Sequence, residues 1–163
     1  MPKFEISIVK DKELTEDMIR YEDIWVVYGS LEIISNKKKL DFLDNLAVFI
    51  SYFYLHCLSS LAEIYSGKIS TFEFEALFKL VFEPKDDNII IYLLEEDERL
   101  GNEITVSFKD FADGVFRSVD EYLDYVLELR PDFVNAERTK DFQNKVNEFK
   151  NWYSQTFCCA KSD

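Results

Sequence analysis

Hydrophobic positions recur along this chain with two periods, and each period predicts an element. Phe4, Ile6 and Ile8 alternate with Glu5, Ser7 and Val9. A half-buried strand requires that period of two, because successive side chains leave opposite faces. The acidic stretch 11–23 reads as a connection to 24–34, whose β-branched and aromatic residues predict a second strand with a bulge at Gly29. The longest helical pattern spans 41–65. There Phe42, Leu46, Phe49, Ile50, Phe53, Cys57, Leu61, Ile64 and Tyr65 follow one another mostly at spacings of three and four. Leu43, Val48, Tyr54, Leu55 and Leu58 widen that face into a central core helix, and Gly67 closes it.

Segment 70–84 returns to the period of two. Phe72, Phe74, Ala76, Phe78, Leu80 and Phe82 fall on one face, and Glu73, Glu75, Leu77, Lys79, Val81 and Glu83 on the other. This predicts one long strand, or one broken by a bulge. Turns at 85–88 and 97–102 then frame two further strands, giving an antiparallel meander of three. Ser107 with Asp110 resembles a capping box and starts a helix over 108–129, its stripe formed by Phe111, Val115, Val119, Tyr122, Leu123 and Val126. Pro131 ends it. A last helix over 136–158 repeats Phe142, Val146, Phe149, Trp152 or Tyr153, and Phe157. The order ββ-α-βββ-αα predicts a single α+β domain over 1–163. Its antiparallel sheet has about five strands, its helices pack mainly on one face, and the last helix is either integral or appended.

Composition supports a packed core. Hydrophobic residues make up 47%, with 15 Phe, 9 Tyr and 2 Trp, a wealth of aromatics that disordered chains lack. With 4 Gly and 3 Pro there is little material for flexible linkers. Charge narrows the partners: 32 acids against 19 bases give a net −13, a field that repels phosphate backbones and anionic lipid. Neither nucleic acid nor a membrane surface is therefore expected as a partner. The Lys37-Lys38-Lys39 run reads as a solvated turn. The most apolar run, 46–58, falls short of the roughly 20 residues that a membrane span needs. The opening "MPKFEISIV" has no charged n-region or long apolar stretch, so no secretory leader is expected. Cys57, Cys158 and Cys159 do not form a spaced disulfide framework, which predicts a reducing cytoplasm. The ending "CCAKSD" places neither cysteine in a prenylation box.

Groups for chemistry are scarce. The single histidine, His56, adjoins Cys57, but helical neighbours point about 100° apart and do not face each other. Both are expected to be structural, and no catalytic residue is assigned. No zinc-ligand spacing and no EF-hand loop occurs, and four glycines form no phosphate cradle, so neither metal nor cofactor is expected.

What remains is acid in clusters. Glu95, Glu96, Asp97 and Glu98 run consecutively with Glu103 beyond. Further acids lie at Asp86 and Asp87, between Asp11 and Asp23, and along Asp110, Asp113, Asp120 and Asp124. Like charges ~6 Å apart in water repel by about 0.7 kcal/mol per pair, a cost that a cationic partner would relieve. With its early strand "IWVVYGSLEII", its apolar helix and its meander running into "KDFADGVFRSVDEYLDYVLEL", the chain resembles the small acidic immunity proteins of bacterial polymorphic toxin systems. Those of contact-dependent growth inhibition are included. The likeness covers about 3–130. It implies a non-catalytic cytoplasmic protein that blocks the active site of a toxin domain, often a basic nuclease.

The expectation is an inhibitor of a basic protein partner, with Glu95, Glu96, Asp97, Glu98, Glu103, Asp113, Asp120 and Asp124 as the binding residues. The chain itself is expected to be a monomer or weak homodimer. The alternative is an acidic structural or adaptor module whose charge serves solubility. An inhibitor should concentrate acid and exposed aromatics in one patch, whereas a solubilised scaffold should spread its charge.

Overall fold

The computed structural model describes residues 3–158. It is a mixed α+β fold whose strands pair antiparallel throughout. They form three sheets, of three, two and four strands, in place of the single sheet of about five that the pattern predicts.

Strand β1 (Phe4–Ile8) is followed by a short helix, α1 (Lys12–Asp17), where only a connection was expected. The Asp11 carboxylate caps α1 by accepting from Leu14 N at 2.8 Å, so one acid of this stretch is spent on a helix end. The predicted second strand is broken. A 3-10 turn at Ile24–Val26, capped by Asp23, buries Ile24 and Trp25. Then β2 (Tyr28–Gly29) and β3 (Leu31–Ser35) join different sheets. Gly29 marks a close approach where a bulge was expected: a Cβ there would lie 3.2 Å from Leu14 Cδ1 and 3.4 Å from Ile50 Cδ1. β3 pairs with β1 and turns back through Asn36 and Lys37, both at positive φ, into β4 (Lys38–Lys39).

The core helix starts nine residues later than its pattern implies. Phe42 sits in the left-handed region at φ 71°, followed by a 3-10 turn at Leu43–Asn45. β5 (Val48–Phe49) then pairs with β2, and α2 (Ile50–Tyr65) begins. Asn102 holds this entry open: its Oδ1 accepts from Asp41 N at 2.8 Å, and its Nδ2 donates to Lys39 O at 2.9 Å. Gly67 ends α2 as expected, with Lys68 N and Gly67 N donating back to Glu63 O and Ile64 O.

The four-stranded sheet is a meander of β6 (Ser70–Phe74), β7 (Phe78–Lys85), β8 (Asn88–Glu95) and β9 (Glu98–Ser107). Segment 70–84 is thus a hairpin, turning at Glu75 and Ala76 with φ of 47° and 60°. The pairing Phe74↔Phe78 keeps Phe72, Phe74, Phe78, Leu80 and Phe82 on one face, so alternation alone could not reveal the reversal. The turn expected at 97–102 is tighter and earlier, at Glu96–Asp97. Gly101 and Asn102 instead form a bulge in β9, between the pairs Tyr92↔Glu103 and Leu93↔Leu100.

Helix α3 (Phe108–Leu129) is capped as read, with Asp110 N donating to Ser107 Oγ at 3.1 Å. Phe111, Val115, Val119, Tyr122 and Val126 are buried, and Leu123 lies half-buried against them. Gly114 lets β1 lie directly on this helix. Arg117 then donates to Phe4 O at 2.7 Å and Ser118 to Ile6 O at 2.6 Å. The last helix, α4 (Glu137–Tyr153), stops short of the predicted end and widens into a π turn at Ser154–Cys158. Phe142 and Val146 belong to the same buried cluster as α2 and α3, and Phe142 packs edge-on against Trp25 at 5.5 Å. Cys159 lies outside the described residues.

Candidate partner-binding surface

Two turns meet at one end of the four-stranded sheet. Glu96 N donates to Leu77 O at 3.0 Å, which ties the β8–β9 turn to the β6–β7 turn. Glu95 stands directly opposite Glu98 across the ladder, and Glu96 and Asp97 occupy the left-handed turn between them. Glu75 lies in the neighbouring turn and Glu73 stands two residues before it. All of these carboxylates are exposed. Lys79 reaches Asp97 at 2.9 Å and Glu73 at 3.9 Å. Its hydrogen bond to Asp97, with the attraction of both carboxylates, holds its ammonium pKa above the usual lysine value. Glu95, Glu96 and Glu98 form no ion pair with any described residue.

An aromatic row adjoins this acidic end. The ladder pair Tyr28↔Phe49 sets two rings side by side at 4.9 Å. Phe49 leads straight into α2, which places Tyr52 three residues on at 6.4 Å from it and 5.1 Å from Trp25. Tyr28, Phe49 and Tyr52 are 38%, 48% and 51% exposed. Leu77, in the β6–β7 turn, is 46% exposed. The Tyr28 hydroxyl donates to Glu75 Oε1 at 2.9 Å and so joins the row to the acids. That hydrogen bond to a carboxylate raises the phenol pKa, partial burial adding to it.

Of the sequence candidates, the structure therefore gathers Glu95, Glu96, Asp97 and Glu98. Glu103 lies past the β9 bulge, paired to Arg99 at 3.0 Å, while the Arg99 guanidinium covers the Tyr92 ring at 3.3 Å. Asp113, Asp120 and Asp124 are exposed on α3. Helix α3 leaves the far end of the ten-residue β9. With the bulge, β9 spans the eight residues of β8, so at about 3.3 Å per residue the start of α3 lies roughly 23 Å along the ladder from the tip. Asp120 is held by Lys150 at 2.7 Å. Sequence reasoning missed the aromatic row, because Phe49 continues the apolar pattern of α2. Tyr52 was the available signal: it stands off the face formed by Phe49, Ile50 and Phe53.

His56 and Cys57 diverge. His56 Nε2 lies 3.1 Å from Ser70 Oγ, with its ring against Phe72 at 5.2 Å, and desolvation lowers its pKa. Cys57 is fully buried, which pushes its thiol pKa far up. Among the described residues no group of three His, Cys, Asp or Glu side chains could hold a metal ion. No described helix is long and apolar enough to cross a membrane.

Comparison of the chain with protein-family models, with curated proteins and with solved structures gives no match. Fold and surface define an α+β protein with an acidic, aromatic-flanked sheet end.

Proposed function

We propose that this protein is a non-catalytic inhibitor that binds and occludes a basic protein partner, a cognate bacterial nuclease toxin domain in the bacterial cytoplasm. The observation that carries this reading is the continuity of the acidic sheet end with the exposed aromatic row, joined through Tyr28 and Glu75. Carboxylates alone steer a cationic partner but hold it weakly, since exposed ion pairs contribute about 0–1 kcal/mol each. Rings that become buried at the centre of an interface supply the anchors. In this mechanism Glu95, Glu96 and Glu98 pair with lysines and arginines that otherwise hold phosphates. Phe49 and Tyr52 pack against the apolar ground between them, and Tyr faces stack on guanidinium groups. The helix acids Asp113, Asp120 and Asp124 take no part in this contact.

The test is a pulldown from the source bacterium at low and at 0.5 M salt, with wild type, with E95K/E96K/E98K, and with F49A/Y52A. The expected result is one basic nuclease, released by salt, lost from both variants, and inhibited by wild type at a one-to-one ratio. A partner indifferent to salt and to both variants, or an undisturbed nuclease, would overturn the reading in favour of an acidic structural or adaptor module.

A further inference from the structure

A second surface lies at the opposite end of β8. A cleft of about 600 Å³ opens between the end of α2, the β7–β8 turn, the start of α3 and the C-terminal turn. Dedicated small-molecule sites fall in this size range, roughly 300–1,000 Å³, with mostly apolar walls and a few polar groups. Its floor is Ile64 and Ile89, 4% and 0% exposed. Its wall is aromatic: Tyr65 stands 5.8 Å from Phe108 and 5.0 Å from Phe157, and Phe108 stands 5.5 Å from Phe157. Tyr65 is nonetheless 60% exposed, so ring surface faces the opening.

The rim is charged with one dominant sign. Among the described residues, Asp86, Asp87 and Asp113 line it against one base, Lys109, and none of the four forms an ion pair with a described residue. Asp86 is held at positive φ in the hairpin turn, and Phe108 N donates to Asp87 O at 3.2 Å, which fixes the turn against the start of α3. Two independent features thus select the same ligand charge. Ring faces carry negative potential, and unpaired carboxylates carry negative charge. Among the described residues, an anion would meet three acids and one base.

We propose that this cleft binds a small organic cation with a flat apolar body, of the arylalkylamine class. The body lies on the Tyr65–Phe108–Phe157 wall over Ile64 and Ile89, and the ammonium faces Asp86, Asp87 and Asp113. The site is separate from the acidic sheet end and does not depend on the inhibitor reading.

The experiment titrates the full chain with 1-naphthylmethylamine, with the neutral 1-naphthylmethanol and with 1-naphthoate, followed by two-dimensional 15N NMR. The amine is expected to bind about tenfold more tightly than the alcohol, a ratio typical of one partly screened charge contact, and the carboxylate more weakly still. Shifts should centre on Tyr65, Asn88 and Phe108. The surface variant D86N/D87N/D113N should bring amine and alcohol to equal affinity without unfolding the chain. F108A should weaken all three probes, and E95K/E96K/E98K should change none. Equal affinities in wild type, shifts centred elsewhere, or no shift at millimolar probe would overturn the proposal. So would self-association that F108A abolishes, which would put a second copy of the chain in the cleft.

Discussion

The Tyr28 hydroxyl donates to the Glu75 carboxylate across the gap between the two-stranded and the four-stranded sheet, at 2.9 Å. It couples a ring held by β2 to an acid held by the β6–β7 turn. The bond is exposed, so its net contribution to stability is about 0.5 kcal/mol. Its larger effect is on ionisation: Tyr28 should lose its proton above its ordinary value of 10.0. Glu75→Gln should return that phenol toward 10.0, read by tyrosinate absorbance in a Y28F difference titration.

Alkaline pH should unfold the chain through two other phenols. Tyr54 and Tyr122 are buried, bonded to Ser118 at 2.5 Å and Ser51 at 2.7 Å, and desolvation pushes both pKa values far up. The unfolded chain releases these protons near pH 10 and the folded one holds them. Stability is therefore intact below pH 10 and falls as pH rises above it. Urea midpoints between pH 8 and 11 should decline, and Tyr122→Phe should lessen the slope.

The single histidine should titrate in the other direction. Burial lowers the pKa of His56 below 6.5, so folding disfavours its cation. The associated stability is present above pH 6.5 and is lost as pH falls through the folded value. His56→Gln should flatten the urea midpoint between pH 7 and 5. A proton spectrum of the wild type should show the single imidazole titrating late.

Gly114→Ala should destabilise the protein although alanine favours helix. A Cβ at this position would meet Phe4 Cδ1 at 2.5 Å and Phe4 O at 3.0 Å, a ring and a backbone atom that cannot swing away. Overpacking of this kind costs about 1–3 kcal/mol, against a gain of roughly 1 kcal/mol in propensity. Chemical denaturation should show a net loss and a displaced β1.

Glu98→Lys should separate the cost of the acidic tip from its use. It replaces a like-charge pair facing Glu95 with an attractive one, worth about 0.2–1 kcal/mol in favour of folding. A higher melting temperature together with weaker partner binding would mark the acids as functional. A higher melting temperature with unchanged binding would remove Glu98 from the interface.

Much of this molecule was determined by its sequence alone, wherever an element is specified by its own neighbours. The cap at Ser107, the stripe of α3, the stop at Gly67 and the alternation of β1 are local, so pattern and turn chemistry suffice. The same holds for the acidic tip, a run of four charges that no core could accept. Tertiary structure decided the rest. The 70–84 hairpin has no glycine or asparagine at its reversal, and period-two alternation continues through a turn that pairs Phe74 with Phe78. The late start of α2 depends on Asn102, some sixty residues away, which binds the chain around Asp41. The aromatic row exists because β2 meets β5 and turns the rings of Tyr28 and Phe49 outward, against their own hydrophobicity. Local periodicity reports which residues want to leave water; only the packing of distant segments decides which of them do.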